Sequence, residues 1–290
     1  MISFFWKHGV LLLVMAAVLA VLAVVIWWWR LARKPDSWKN EMLPIVVAMI
    51  FVGLAAVFIL SLARTQGGGP GTEEDFRKAA DQSRWPNPKF VSNSLVRVNF
   101  HEPVAVVTFT QADSVDRYKA ATAYKDIWVT MIPYIEAFCR EYTRLNGTDQ
   151  TQLTVRLNER LGLPPNAGYD TFVELTLDPK DTGAQLIRPC GDSSLDTASC
   201  KPPALPAPSD AWSNSGASSA FQEWMLRNYY STYATEKPYP WTALGYTFDW
   251  AESGDSDEFE RFGESEFVIP KGSPIHFEGE SSMKDYCTPQ

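Results

Sequence analysis

Two long uncharged apolar runs stand out at the start of the chain. Residues 10–29 contain no charge and no proline. As a helix, twenty residues rise about 30 Å, which matches the hydrocarbon core of a bilayer. Trp27, Trp28 and Trp29 close the run, at the depth where an indole keeps its ring apolar and its N–H wet. The second run covers residues 43–62 and is also uncharged. Pro44 falls in its first turn, where its missing N–H is not needed, and Gly53, Ala55 and Ala56 suit close helix packing. The first run ends in tryptophans and a basic cluster instead of a small-residue cleavage site, which argues against a cleaved signal peptide. Neither run carries an ionisable group, so the pair reads as an anchor or docking surface and not as a transport path. The pattern predicts a transmembrane helical hairpin over residues 1–63, a Gly-rich linker over residues 64–71, and one extramembrane domain over residues 72–290.

Past the linker the pattern changes repeatedly. Thr72 followed by Glu73, Glu74 and Asp75 predicts a capped helix with acids in its first turn. Residues 95–100 alternate and residues 104–110 are rich in β-branched side chains, so the two predict a hairpin or neighbouring strands. Over residues 113–145 apolar side chains recur every three or four positions, which predicts one long helix split or kinked at Pro133. Asn146 and Gly147 stop it. A helix over residues 150–161, a strand over 172–177, a long loop over 188–216, a helix over 217–233 and strands over 239–250 and 266–270 follow. Helices and strands mix without a regular βαβ order, so the predicted class is α+β, with an antiparallel or mixed sheet and several helices.

Charge bears on orientation and partners. The loop between the apolar runs holds Arg30, Arg33, Lys34 and Lys39, so by the positive-inside rule it faces the cytoplasm. Both termini and the large domain are then outside, in the periplasm of a bacterium with an inner membrane. Residues 1–63 hold five basic and two acidic residues, so the remainder, with 21 basic and 32 acidic, stands at −11. A domain that acidic argues against nucleic acid as a partner and against lying on anionic lipid.

All four cysteines, Cys139, Cys190, Cys200 and Cys287, fall in the outer domain. An even count in an exported domain predicts disulfides. Cys190 and Cys200 bracket a short Gly/Ser/Asp/Thr-rich stretch, which favours that pair and leaves Cys139 with Cys287. No C-x2-C spacing supports zinc, and no cofactor motif is present: there is no Walker A loop and no G-x-G-x-x-G after a strand.

The remaining candidate chemistry is sparse. Residues 239–250 hold five aromatics in twelve positions. Trp241, Tyr246 and Trp250 are the groove candidates for a sugar, peptide or lipid-like ligand. Aromatics on both faces of one strand also read as a doubly buried strand, and that reading is favoured. Counted from Asp249, Gly254 and Glu260 fall at EF-hand positions six and twelve, but Ala251 and Ser253 stand where acids are needed. The segments Gly191-Asp192-Ser193 and Gly263-Glu264-Ser265-Glu266 lack the second glycine of a nucleophile elbow. His101 and His276 have no nucleophile paired with them in sequence.

These features predict an inner-membrane-anchored envelope protein whose periplasmic domain binds another protein or serves as a subunit of a membrane complex, with no catalytic motif to make it an enzyme. Two alternatives stand beside it. One is a membrane-anchored enzyme or ligand-binding module acting on cell-wall or lipid material. The other is an exported inhibitor or immunity-type protein whose acidic surface masks a basic partner.

Overall fold

Six runs of alternating or β-branched residues find each other in one sheet. They are β1 (Val104–Thr110), β2 (Ile127–Met131), β3 (Thr171–Leu177), β4 (Tyr246–Glu252), β5 (Phe259–Ile269) and β6 (His276–Ser282). Every pairing is antiparallel, and the strand order is β4-β5-β2-β1-β3-β6. The description rests on a computed structural model and covers residues 71–84, 88–192, 194–203, 218–252 and 259–289, with the backbone alone for residues 252, 259 and 260. The two predicted spans, and the linker as far as residue 70, lie outside these residues. Among the described residues no helix is long and apolar enough to cross a membrane.

Because side chains alternate along a strand, each face of the sheet collects its own core. On one face Val106, Val129, Val173, Leu175, Phe267 and Ile269 pack under loops and a 3-10 helix at Ala112–Tyr118. Helices cover the other face. There Val107 and Phe172 meet α2 (Tyr134–Asn146) and α3 (Gln150–Arg160). Trp128 and Val268 meet Trp224 and Met225 of α4 (Ser219–Tyr233). Further along, α1 (Glu73–Ser83) packs its Phe76 and Ala79 on Phe248 and Trp250 of β4.

Capping sets the helix starts. Thr72 and Asp75 form a reciprocal capping box at α1, Thr72 Oγ1 accepting from Asp75 N (3.2 Å) and Asp75 Oδ2 from Thr72 N (2.9 Å). Asp149 caps α3 through Thr151 N and Gln152 N, and Ser218 caps α4. The short α5 (Met283–Tyr286) ends at Cys287, which pairs with Cys139 of α2 at a Cα–Cα distance of 5.1 Å. Cys190 pairs with Cys200 at 6.0 Å. These are the two pairings favoured from sequence spacing.

Three sequence expectations are corrected. The long helix over residues 113–145 is instead a 3-10 helix, strand β2, and helix α2 beginning after Pro133. Ile127, Val129 and Met131 fit a three-to-four step only loosely, but they fit period two, and the β-branched run favours a strand. Residues 95–100 form no ladder with β1. Their backbone bonds to a neighbouring loop and to side chains: Leu95 N to Ala198 O (2.8 Å), Val98 N to Leu195 O (2.8 Å) and Val96 N to Ser265 Oγ (2.9 Å). The strand expected over residues 239–250 begins only at Tyr246, because Ala243 (φ 51°) and Gly245 (φ 80°) turn the chain first. Strand β6 went unpredicted.

Gly263 is where backbone space is tightest. A Cβ there would fall 2.1 Å from Thr247 Oγ1 and 2.4 Å from Arg160 O. Thr247 Oγ1 already donates to Arg160 O and accepts from Glu264 N, both at 2.8 Å. Gly263→Ala is therefore expected to destabilise by about 1–3 kcal/mol, read as a lower unfolding midpoint in urea.

Candidate functional site

The sheet is not evenly zipped. Strands β1 and β3 pair over seven positions, from Val104–Leu177 to Thr110–Thr171. The β1–β2 ladder holds only Val106–Met131 and Val107–Thr130. Past Val107 the two central strands part, and β2 continues against β5 alone, from Thr130–Glu266 to Ile127–Ile269.

A cavity of about 420 Å³ occupies this split, with Thr108, Phe109 and Thr110 of β1 on one wall and residues 125–129 on the other. That volume lies in the range of small-molecule sites. Over the split, rings from four segments line the space: Phe109, Tyr169, Phe172, Trp128, Trp241 and Phe248. They brace one another. Phe109 stacks on Phe172 (4.5 Å between centroids) and meets Tyr169 edge-on (5.8 Å), while Trp128 meets Trp241 edge-on (5.9 Å). The exposed Ser231 and Tyr239 mark the mouth, beside the C-terminal end of α4.

Glu266 supplies the acid of this site. It lines the cavity from β5, on the same face as its register partner Thr130. Its Oε2 is shut off from solvent and has no hydrogen-bond partner among the described residues. Burial pushes the carboxyl up to about 8, with the nearby Trp241 N–H pulling the other way. An ordinary glutamate titrates near 4.3, so at pH 7 this one is mostly a neutral acid.

A second polar cluster holds the frame behind the cavity. Asp249 of β4, with no exposed surface, accepts from Arg156 Nη1 (2.9 Å) and Nη2 (2.7 Å) and from Arg160 Nη1 (3.3 Å). Arg160 Nε also donates to Glu264 Oε1 (2.8 Å) and its Nη1 to Phe262 O (2.7 Å). Both guanidiniums lie over the Phe138 ring, at 4.9 and 4.8 Å. Glu159 accepts from Gly71 N (2.9 Å), and burial raises its carboxyl to about 7. These bonds pin α3 to β4 and β5. Asp249, the first acid of the stretch after residue 248, is already paired with two arginines.

The three groove candidates do not share a groove. Trp241 lines the cavity. Tyr246 packs with Leu95, Leu244 and the Cys190–Cys200 pair, and its hydroxyl donates to Phe90 O (2.7 Å). Trp250 is fully buried against Phe76, its Nε1 donating to Asn158 O (3.2 Å) and Leu163 O (3.1 Å). The bulges and turn around β4 send neighbouring aromatics into separate clusters. His276 lies on the outer strand, paired to Asp181 at 2.6 Å, and is not among the residues lining the cavity.

Glu266 escaped notice in the sequence, although a signal was there. It sits next to the apolar run Phe267-Val268-Ile269, where alternation demands that both faces be covered. An acid in such a strand either finds a cationic partner or faces a cavity.

Together these features define an α+β domain: one six-stranded antiparallel sheet, helices over one face, and a cavity where the two central strands separate. No protein-family model, curated protein or solved structure matches the chain.

Proposed function

We propose that this chain is a bacterial envelope protein, fixed in the inner membrane by its two N-terminal spans, whose periplasmic domain binds a small ligand in the cavity between β1 and β2. The carrying observation is the cavity itself: about 420 Å³ of aromatic-walled space lined by the acid Glu266, which has no cationic partner among the described residues. A ligand's polar group supplies that acid with a partner. The two cysteine pairs support an oxidising compartment. Among the first hypotheses, this favours the ligand-binding module over a pure protein-docking domain.

The test fills the mouth. Thr232 lines the cavity from α4 and is half-buried. Thr232→Trp is expected to weaken binding of small aromatic ligands by tenfold or more in a fluorescence titration of the full chain in detergent, with a melting temperature close to that of the unaltered protein. Absence of saturable binding to the unaltered protein, or equal binding by the variant, contradicts the reading.

A further inference from the structure

Resting on that reading of the cavity, we infer that its ligand is an organic amine, bound as a cation between aromatic rings with its N–H donating to the Glu266 carboxylate. Three features point to this chemistry. First, the walls are rings of Trp128, Trp241, Phe109 and Tyr169, and aromatic faces attract cations through their quadrupoles. Second, among the described residues the acid has no cation of its own: burial and the Trp241 indole are the influences on Glu266. This sets it apart from Asp249, which two arginines neutralise. Among the described residues, the charged ones lining the cavity besides Glu266 are Lys125 and Asp126. Asp126 is occupied by Trp224 Nε1 (2.8 Å) and Lys271 N (2.9 Å), and the nitrogen of Lys125 lies 5.4 Å from the Tyr124 ring centroid. The other titratable groups on the wall are the phenols Tyr118, Tyr169 and Tyr239. Burial raises Tyr118 and Tyr169, so these two stay neutral. Third, the Trp241 N–H is placed beside Glu266 to stabilise the carboxylate once it forms.

Binding then couples to a proton. Below pH 8 the free carboxyl is protonated, and a cationic amine displaces that proton to solvent as the ion pair forms. Amine affinity should rise about tenfold for each pH unit up to 7, bend near 8 and level off above it. A neutral ligand of the same shape shows no such rise.

The experiment is calorimetric titration of the full chain in detergent with 2-phenylethylamine and with neutral 2-phenylethanol, at pH 6, 7 and 8, for the unaltered protein and Glu266→Gln. Glu266→Gln keeps the shape of the protonated acid, so its melting temperature at pH 7 reports that it folds. The expected result is amine binding that strengthens about tenfold from pH 6 to 7 with release of close to one proton, and at least tenfold weaker amine binding in Glu266→Gln with 2-phenylethanol binding kept. If 2-phenylethanol binds as well as the amine and Glu266→Gln changes neither, the amine assignment falls while the cavity reading stands. If neither compound binds at any pH, both fall.

Discussion

Asp249→Ala is expected to lower the unfolding temperature of the full chain by roughly 6–20 °C. Asp249 is fully buried and takes three hydrogen bonds from two guanidiniums. Arg156 and Arg160 are themselves mostly enclosed, with 15% and 20% of their side chains exposed. Removing the aspartate leaves two cations in a low-dielectric pocket. Breaking a buried pair this way costs about 3–5 kcal/mol, and each kcal/mol moves the midpoint of a domain this size by about 2–4 °C. The loss comes from the stranded charge and not from a missing attraction. It follows that Asp249→Asn, which keeps the shape without the charge, should lose most of the same stability. Differential scanning fluorimetry on the tryptophan signal reads both. A shift under about 2 °C for Asp249→Ala would show that the arginines find water or other acids instead.

The second large effect belongs to the Cys139–Cys287 pair. It joins residues 148 apart in sequence, against 10 for Cys190–Cys200. In the chain-entropy description the longer loop constrains the unfolded state by about 5 kcal/mol and the shorter by about 2.7 kcal/mol. The longer link also ties the C-terminal α5 to α2 within one buried cluster containing Phe172 and Tyr286, whose rings stack at 4.2 Å. Replacing Cys139 and Cys287 together by alanine should therefore lower the melting temperature by roughly 10–20 °C, and replacing Cys190 and Cys200 by roughly half that. Equal effects, or the reverse order, would mean that local packing outweighs chain entropy here.

How much of this was legible in the sequence depended on the range of the forces involved. The starts of α1, α3 and α4 were readable to within two residues, because Thr72, Asp149 and Ser218 cap them through bonds two or three residues away. Strand β1 was readable from its β-branched run, and β3 from its alternation. The segment from residue 112 to 131 was misread because its apolar side chains satisfy two periods at once, and only the partners Val107 and Glu266 decide for a strand. Strand β6 was invisible: His276–Ser282 carries polar side chains and glycine, and it is held by β3 alone at the edge of the sheet. Both cysteine pairings followed from spacing and composition.

The cavity was not legible, and the reason is geometric. Its walls come from strands β1 to β5, α4 and several loops, brought together by a β1–β2 ladder that stops after two pairs. No short motif encodes the end of a ladder. Of the three groove candidates, Trp241 alone reached this site, joined there by Tyr239 and Phe248 of the same segment, while Tyr246 and Trp250 pack into other clusters. The acid that matters, Glu266, was hidden among other acids in a domain rich in them.

The most direct measurement is a crystal structure of the full chain with 4-bromo-2-phenylethylamine, its bromine located by anomalous scattering. Bromine density between β1 and β2 among the rings of Phe109, Trp128 and Trp241, with the ligand nitrogen within hydrogen-bond distance of the Glu266 carboxylate, is the expected result. An empty cavity at saturating amine, or bromine seated only on the outer surface, would contradict a binding site in the split of the sheet.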